Sequence, residues 1–344
     1  MKETLKTLCA LPGVSSFEEE VREEIKRRAE PHASWMKVDK MGNLMVHKKG
    51  EKPAPARLML LAHMDEVGLI VKQITEEGYL KFGFIGGIDR RVVLGKRVYV
   101  GPKKVPGVIG LKAYHLVGKE EETRVPKVED LYIDIGAKDR REAEALVSLG
   151  DAGVFHSRQV EFGHGLFQSK AIDDRVGCAV LLKLLEEPLP VDTTFVFTVQ
   201  EEVGTRGAFG AAFAEAPEIA LVVEGTTAAD LPGVPAHRQV CRVGGGVVIP
   251  FMDGGTIYDP GLYEMLVRLA KERGLPWQTK QYLSGGTDAR AVQRSRAGVR
   301  VAGLAVAVRY IHSPASVMSL DDGEGLLALS RAFLQEMGKE PFDV

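Results

Sequence analysis

Cysteine is scarce in this chain of 344 residues: Cys9, Cys178 and Cys241 stand far apart, with no Cys-x-x-Cys pair among them. An odd, dispersed set argues against a disulfide framework and against a cysteine-ligated zinc site. Long apolar runs are missing as well, and no stretch approaches the ~18 residues of a membrane-spanning helix. Nor is there a bias of charge. Lysine and arginine total 45 against 47 acids, a formal net charge of -2, so no global field draws in nucleic acid or an anionic membrane. The opening Met1 to Lys6 carries an acid early and leads to no apolar core before Glu18-Glu19-Glu20, which argues against a signal peptide. The expectation is a cytoplasmic, soluble chain without repeats or low-complexity segments.

What the chain does have is bulk and alternation. At 45% hydrophobic residues it can bury a large core. Ser16 and Glu19 have capping-box spacing and predict a helix over 17–30. Trp35 to Asp39 and Leu44 to His47 flank Met41-Gly42-Asn43 like two strands joined by a tight turn. Leu58 to Ala62 is a continuous apolar strand. From Val67 to Gln168 the texture changes to short apolar runs broken by Gly86-Gly87, Gly95, Gly101-Pro102 and Pro106-Gly107, the pattern of a small inserted β-barrel, with one helix over 139–149. Its His115, His156 and His164 read as structural or surface groups. After the insert come helix 176–187, strand 193–199, helix 208–215, strand 219–223, helix 261–273, strand 299–306 and helix 320–337. That order predicts an α/β fold: a three-layer α/β/α domain over 1–66 and 169–344, with 67–168 inserted.

Reactive side chains recur where these strands end. Glu201 and Glu202 follow Val199, His63 and Asp65 follow Ala62, Glu224 follows Val223, and His312 follows Ile311. Ligands of open α/β sheets bind at that edge. Hard oxygen and imidazole donors without cysteine suit a catalytic metal site. Side chains two apart on an extended segment share a face, so Asp65 is placed to accept the second ring N–H of His63. Neighbouring residues point opposite ways, so one acid of the Glu201–Glu202 pair can hold a metal while the other reaches an attacking water. Asp173-Asp174 before a helix is read either as ligand or as N-terminal capping charge. Ser284-Gly285-Gly286-Thr287-Asp288 is read either as a substrate-lining turn or as a cap for the helix that follows. Gly244-Gly245-Gly246 lacks the strand-to-helix spacing of a phosphate loop.

Ala62-His63-Met64-Asp65-Glu66-Val67-Gly68, Lys170 to Gly177, Gln200 to Gly207, Val223-Glu224-Gly225-Thr226 and Arg309 to Ser313 together resemble the tetrahedral aminopeptidases, the cytosolic glutamyl-aminopeptidase family of two-metal exopeptidases. Five motifs in order cover nearly the whole chain. The resemblance implies a metal-dependent aminopeptidase acting on short peptides, with two divalent ions, zinc or cobalt, in each subunit. It implies that Asp173 bridges them, that His63 and Glu224 complete one site and that Glu202 and His312 complete the other. Glu201 would be the general base and Asp65 the partner that orients His63. Some relatives carry aspartate where this chain has Glu224, which bears on metal preference. The resemblance further makes the barrel a dimerisation domain, with six dimers closing a hollow tetrahedral dodecamer.

Two other readings compete. Some relatives carry the name endoglucanase, and a glycoside hydrolase also uses paired carboxylates. Its acids must flank a sugar about 5–9.5 Å apart, and that chemistry gives His63 and His312 no role. A non-catalytic assembly protein with an eroded site would be expected to lack ligand types, and this chain has each of them.

Overall fold

Period-two alternation decides the layers. Along Leu44–Lys48 and Leu58–His63, the side chains of Leu44, Val46, Leu58, Leu60 and Ala62 enter one core, and those of Met45, Met59 and Leu61 enter another on the opposite face. With both faces covered, strand Leu58–His63 is buried along its full length, as a continuous apolar run demands. The coordinates are a computed structural model that describes residues 1–339. The five residues that end the expected 169–344 segment lie outside that range.

The larger core is filled by helices Lys2–Ala10, Glu19–Ala29, Ile172–Leu185, Pro260–Glu272 and Leu320–Met337. Helices Arg206–Glu215 and Ala289–Gln293 cover the other face, where Ala208, Ala211, Ala212, Ala289 and Ala291 allow close approach. Between them runs an eight-stranded sheet in the order Trp35–Val38, Leu44–Lys48, Thr193–Thr198, Leu58–His63, Ile219–Thr227, Arg300–Val308, Val247–Val248, Trp277–Gln278. Thr193–Thr198, Leu58–His63, Ile219–Thr227 and Arg300–Val308 pair in parallel, so their carboxyl ends share one rim. Register sets neighbours there: Thr198 lies opposite His63, and the Leu61–Val222 pairing continued two residues brings Glu224 level with His63.

The segment from Gly68 to Phe155 closes a separate barrel of six strands, ordered Gly68–Ile74, Leu80–Ile85, Tyr132–Asp134, Val105–Gly110, Arg97–Val100, Ala152–Phe155. Leu69, Val71, Leu80, Phe82, Val98, Ile109 and Ile133 fill it. Its helix is Arg140–Leu146, shorter than expected, with the Asp139 carboxylate accepting from Glu142 N at 2.8 Å. Beyond the barrel, the hairpin Val160–Phe162 and Leu166–Ser169 pairs with Ser316–Ser319. That hairpin is hydrogen-bonded to the main domain.

The amino-terminal region departs from expectation. A helix at Lys2–Ala10 was not anticipated, and the predicted capping box does not form. Ser16 sits at φ 74 within a turn closed by Phe17 N donating to Val14 O at 2.7 Å, so the second helix starts only at Glu19. No side chain caps it. The carboxylate of Glu18 accepts instead from Ser16 N at 2.8 Å and Gln200 N at 3.2 Å, tying this segment to the sheet rim. No described helix is long and apolar enough to cross a membrane.

Candidate active site

Each side chain at the rim is fixed by local backbone. His63 ends its strand and is 1% exposed, with Nδ1 3.1 Å from the main-chain oxygen of Asp65 and 3.5 Å from Asp65 Oδ1. The ring nitrogen therefore hydrogen-bonds to the carbonyl and keeps the expected carboxylate at ion-pair distance. That carboxylate has other work: Oδ1 accepts from Glu201 N at 2.9 Å, and Oδ2 from Glu202 N at 3.1 Å and Ser15 Oγ at 2.6 Å. Asp65 thus pins the main chain of the acidic pair, while Gln200 at φ 56 and Gly204 at φ 118 turn the chain around it.

Asp173 and Asp174 precede the regular part of their helix, both in non-helical conformations and joined by a cis peptide. Asp174 is spent on structure, accepting from His63 N at 3.2 Å and Gly177 N at 2.9 Å. A Cβ at Gly177 would lie 2.4 Å from the Asp174 carboxylate and from Val223 O, which explains glycine there. Asp173 faces both histidines, with Oδ1 3.3 Å from His63 Nε2 and Oδ2 3.4 Å from His312 Nε2. Glu224 lies inside strand Ile219–Thr227, where the sequence placed it just beyond a strand end, and it accepts from Asp288 N at 3.2 Å. His312, in a left-handed turn at φ 58, sets Nδ1 2.8 Å from Gly87 O of the barrel segment and Nε2 3.2 Å from Glu202 Oε2.

Two overlapping donor sets result. His63, Asp173 and Glu224 offer ligand atoms within 4.8 Å of one another, and so do Asp173, Glu202 and His312. Both imidazoles commit Nδ1 to a main-chain carbonyl and turn Nε2 toward carboxylate oxygens. Asp173 Oδ1 is buried without a hydrogen-bond partner. Burial pushes the carboxyls of Glu201 and Glu224 well up, and Glu202 up to about 8, with neighbouring acids adding. Burial alone would lower the imidazoles, but Asp173 and Asp65 outweigh it at His63, and Asp173 and Glu202 at His312 bring that ring to about 9. Burial also opposes ionisation of Asp173, yet the two histidines hold it below the usual carboxylate range. Asp173, Glu201, Glu202 and Glu224 line one cleft of about 290 Å³. Several buried acids crowded at one rim are costly without cations to balance them, and the donor types suit divalent ions.

The structure therefore gathers His63, Asp173, Glu202, Glu224 and His312, and sets Glu201 beside them outside both donor sets. Ser284, Gly285, Gly286 and Thr287 line the same cleft; Asp288 makes no side-chain cap for Ala289–Gln293, whereas Thr287 Oγ1 accepts from Ala289 N at 3.2 Å. His115, His156 and His164 belong to neither donor set. Sequence reasoning missed Ser15, Thr198 and Asp288 as supports. Thr198 Oγ1 donates to Asp288 Oδ2 at 2.5 Å, a contact between residues 90 apart that no local pattern announces.

A family model described as M42 glutamyl aminopeptidase matches residues 42–329, most of the chain and all of the rim residues. The chain belongs to the M42 glutamyl aminopeptidase family. Within it, this member is 31% identical to the lysyl aminopeptidase of Pyrococcus furiosus over 99% of the chain and 98% of the relative. It is likewise 31% identical to the glutamyl aminopeptidase of Lactococcus lactis, over 98% and 96%. Among solved structures, an aminopeptidase of Desulfurococcus kamchatkensis superposes with a TM-score of 0.93 at 35% identity, covering 99% of this chain and 97% of that one. The TET1 peptidase of Pyrococcus horikoshii, described as assembling into a tetrahedron or a large octahedral shell, gives 0.86 at 35% identity over 97% and 98%. A Thermotoga maritima protein called an endoglucanase gives 0.81 at 35% identity over 97% of each chain. As an M42 member the chain is an aminopeptidase, a hydrolase of peptide bonds.

Proposed function

We propose that this aminopeptidase is metal-dependent and removes the N-terminal residue of short peptides at the rim of the sheet. Two divalent cations, zinc or cobalt, would be held there, one by His63, Asp173 and Glu224 and the other by Asp173, Glu202 and His312. What carries the reading is the sharing of Asp173 between both donor sets, with one of its oxygens turned to each histidine. When bound, such a pair supplies Lewis-acid stabilisation of developing negative charge and makes water a better nucleophile near neutral pH.

The remaining work falls to this chain's own groups. Glu201 takes a proton from the attacking water and returns it to the leaving amine, a role that needs a carboxylate close to the cleft but outside the ligand sets. Burial raises its proton affinity, which suits a group that must hold a proton between the two transfers. Asp65 fixes the main chain of Glu201 and Glu202, so base and ligand keep a constant separation. Gly87 O orients His312, which makes the barrel part of the site. The acids also favour a free α-ammonium group, a physical reason for attack at an N-terminus.

A glycosidase reading leaves His63 and His312 idle, although the Thermotoga relative bears that name. We read 1–66 with 169–344 as the catalytic domain and 67–168 as an inserted dimerisation domain. Dimers then associate into a tetrahedral dodecamer, a reading supported by what is described for the Pyrococcus horikoshii peptidase. Three unpaired, buried cysteines suit a cytoplasmic location. A panel of aminoacyl p-nitroanilides and chromogenic glycosides, assayed with added zinc, cobalt or chelator, tests the reaction class. Chelator-insensitive anilide hydrolysis, or glycoside cleavage in its place, would overturn the proposal.

A further inference from the structure

One wall of the cleft carries a hydroxyl whose polarity is dictated from behind. Thr287 lines the cleft and is 8% exposed. Its Oγ1 accepts from Ala289 N at 3.2 Å and lies 3.2 Å from the hydroxyl of Tyr258. Either oxygen of that second pair could donate, and the next link decides which. Tyr258 is buried, and its hydroxyl donates to Asp253 Oδ2 at 2.8 Å. Asp253, buried as well, accepts at Oδ1 from Gly255 N at 2.7 Å and from Thr256 N at 2.8 Å, so every bond of this carboxylate is an accepted one. Burial and the charge of Asp253 push the Tyr258 hydroxyl well above its usual range, and it keeps its proton.

A tyrosine has a single hydroxyl hydrogen. With that hydrogen spent on Asp253, Tyr258 meets Thr287 as an acceptor, and the Thr287 hydrogen is committed to it. Of the two lone pairs on Thr287 Oγ1, Ala289 N takes one and the other has no partner among the described residues. Thr287 therefore offers the cleft an acceptor and no donor, and a ligand must bring the hydrogen. The scissile nitrogen is served by Glu201 in the proposed reaction. Glu224 lines the same cleft and is held through Oε1 by the N–H of Asp288, the residue after Thr287. A hydroxyl oxygen close to a carboxylate suits a cation with several N–H groups. Resting on the aminopeptidase reading, we infer that Thr287 accepts a hydrogen bond from the free α-ammonium group of the substrate, with Tyr258 and Asp253 as positioning residues that hold it in the acceptor orientation.

The test uses two alcohols that differ only in the amine, L-leucinol and 4-methylpentan-1-ol, as inhibitors of anilide hydrolysis by the cobalt-supplemented enzyme. The native enzyme should bind leucinol more tightly. The ratio of the two inhibition constants should shrink roughly 10- to 100-fold in Thr287→Val, the worth of one hydrogen bond to a charged group. Thr287→Ser keeps the hydroxyl and should keep most of the ratio. Tyr258→Phe frees the Thr287 hydrogen to turn toward the cleft, so the ratio should shrink there too while binding of 4-methylpentan-1-ol holds. A ratio within twofold of the native value in Thr287→Val would overturn the inference, and so would equal losses for both alcohols, which would reduce Thr287 to a matter of shape. Leucyl p-nitroanilide and leucine methyl ester differ in the scissile N–H. A Thr287→Val enzyme slowed on the anilide alone, with the alcohol ratio unchanged, would move the contact to that N–H and sink the assignment. Where Thr287→Val does not fold, Tyr258→Phe decides by the same ratio. Native anilide hydrolysis with an unchanged ratio in the variants defeats this inference and leaves the aminopeptidase reading standing. No anilide hydrolysis by the native enzyme with any added metal defeats both.

Discussion

Replacing Asp65 by asparagine changes one atom and tests how the site is held together. The carboxylate is 0% exposed and accepts from Glu201 N at 2.9 Å, Glu202 N at 3.1 Å and Ser15 Oγ at 2.6 Å. Asparagine offers one acceptor oxygen. Whichever way its amide turns, an NH₂ group meets at least one main-chain N–H that cannot accept from it. One orphaned buried donor costs about 1–3 kcal/mol, and loss of charge assistance on the surviving bonds brings the sum to about 2–4 kcal/mol. If that energy is drawn from positioning of Glu201 and Glu202 in the transition state, kcat/KM falls roughly 30- to 900-fold. The assay is anilide hydrolysis under saturating cobalt, together with metal content by mass spectrometry and the urea midpoint of the variant. Because Glu202 is one of the proposed rim ligands, bound metal should fall as well. An Asp65→Asn enzyme with native metal content and kcat/KM within threefold of the native value would refute the reasoning, since the two acids would then keep their places without this anchor.

Glu201→Gln should leave metal content intact and remove most of kcat, because the amide cannot carry the proton; native turnover in the purified variant would exclude Glu201 as base. His312→Ala should lose one equivalent of metal while His63, Asp173 and Glu224 still hold the other, a difference that metal titration followed by calorimetry reads directly. Chelation of the native enzyme should lower its melting temperature, since a ligand bound only by the folded state adds to stability; an unchanged melting curve would count against a metal centre at the rim. Glu18 gives a pH prediction. Burial, then the charge of Asp65, raises its carboxyl from 4.5 to about 7, so the neutral form is the one favoured on folding. Its contribution is present in full below pH 4.5 and is lost as pH rises through 7. Glu18→Gln, which keeps an acceptor for Ser16 N and Gln200 N, should gain up to about 3 kcal/mol relative to the native protein between pH 5 and pH 8. Parallel stability curves for the two proteins over that range would show that Glu18 does not titrate in this way.

Much of the plan could be read from local pattern. Continuous apolar runs announced the covered strands at 58–62 and 193–199, observed as 58–63 and 193–198; glycine and proline punctuation announced the barrel, and five short motifs announced the rim. These features share a cause: each is set by residues a few positions apart, where hydrophobic periodicity and turn chemistry act. The same locality explains the errors. Ser16 and Glu19 satisfy a capping pattern, yet Glu18 bonds to Gln200, 182 residues away, and the turn it stabilises moves the helix start. Glu224 followed by Gly225 reads locally as a strand exit, but pairing with Arg300–Val308 extends the strand to Thr227.

By itself, then, the sequence determined the kinds of groups present and the order in which they reach the rim: two imidazoles and several acids, without cysteine. Only the tertiary structure decided which of them meet. It assigned Asp174 to main-chain amides and Asp173 to both histidines, and gave the Asp65 carboxylate to Glu201 and Glu202. The reason is that carboxylates are interchangeable to a local pattern, whereas sheet register and the direction of a few turns place each oxygen to within an ångström. At a site built from hydrogen bonds and buried acids, that placement settles which groups meet.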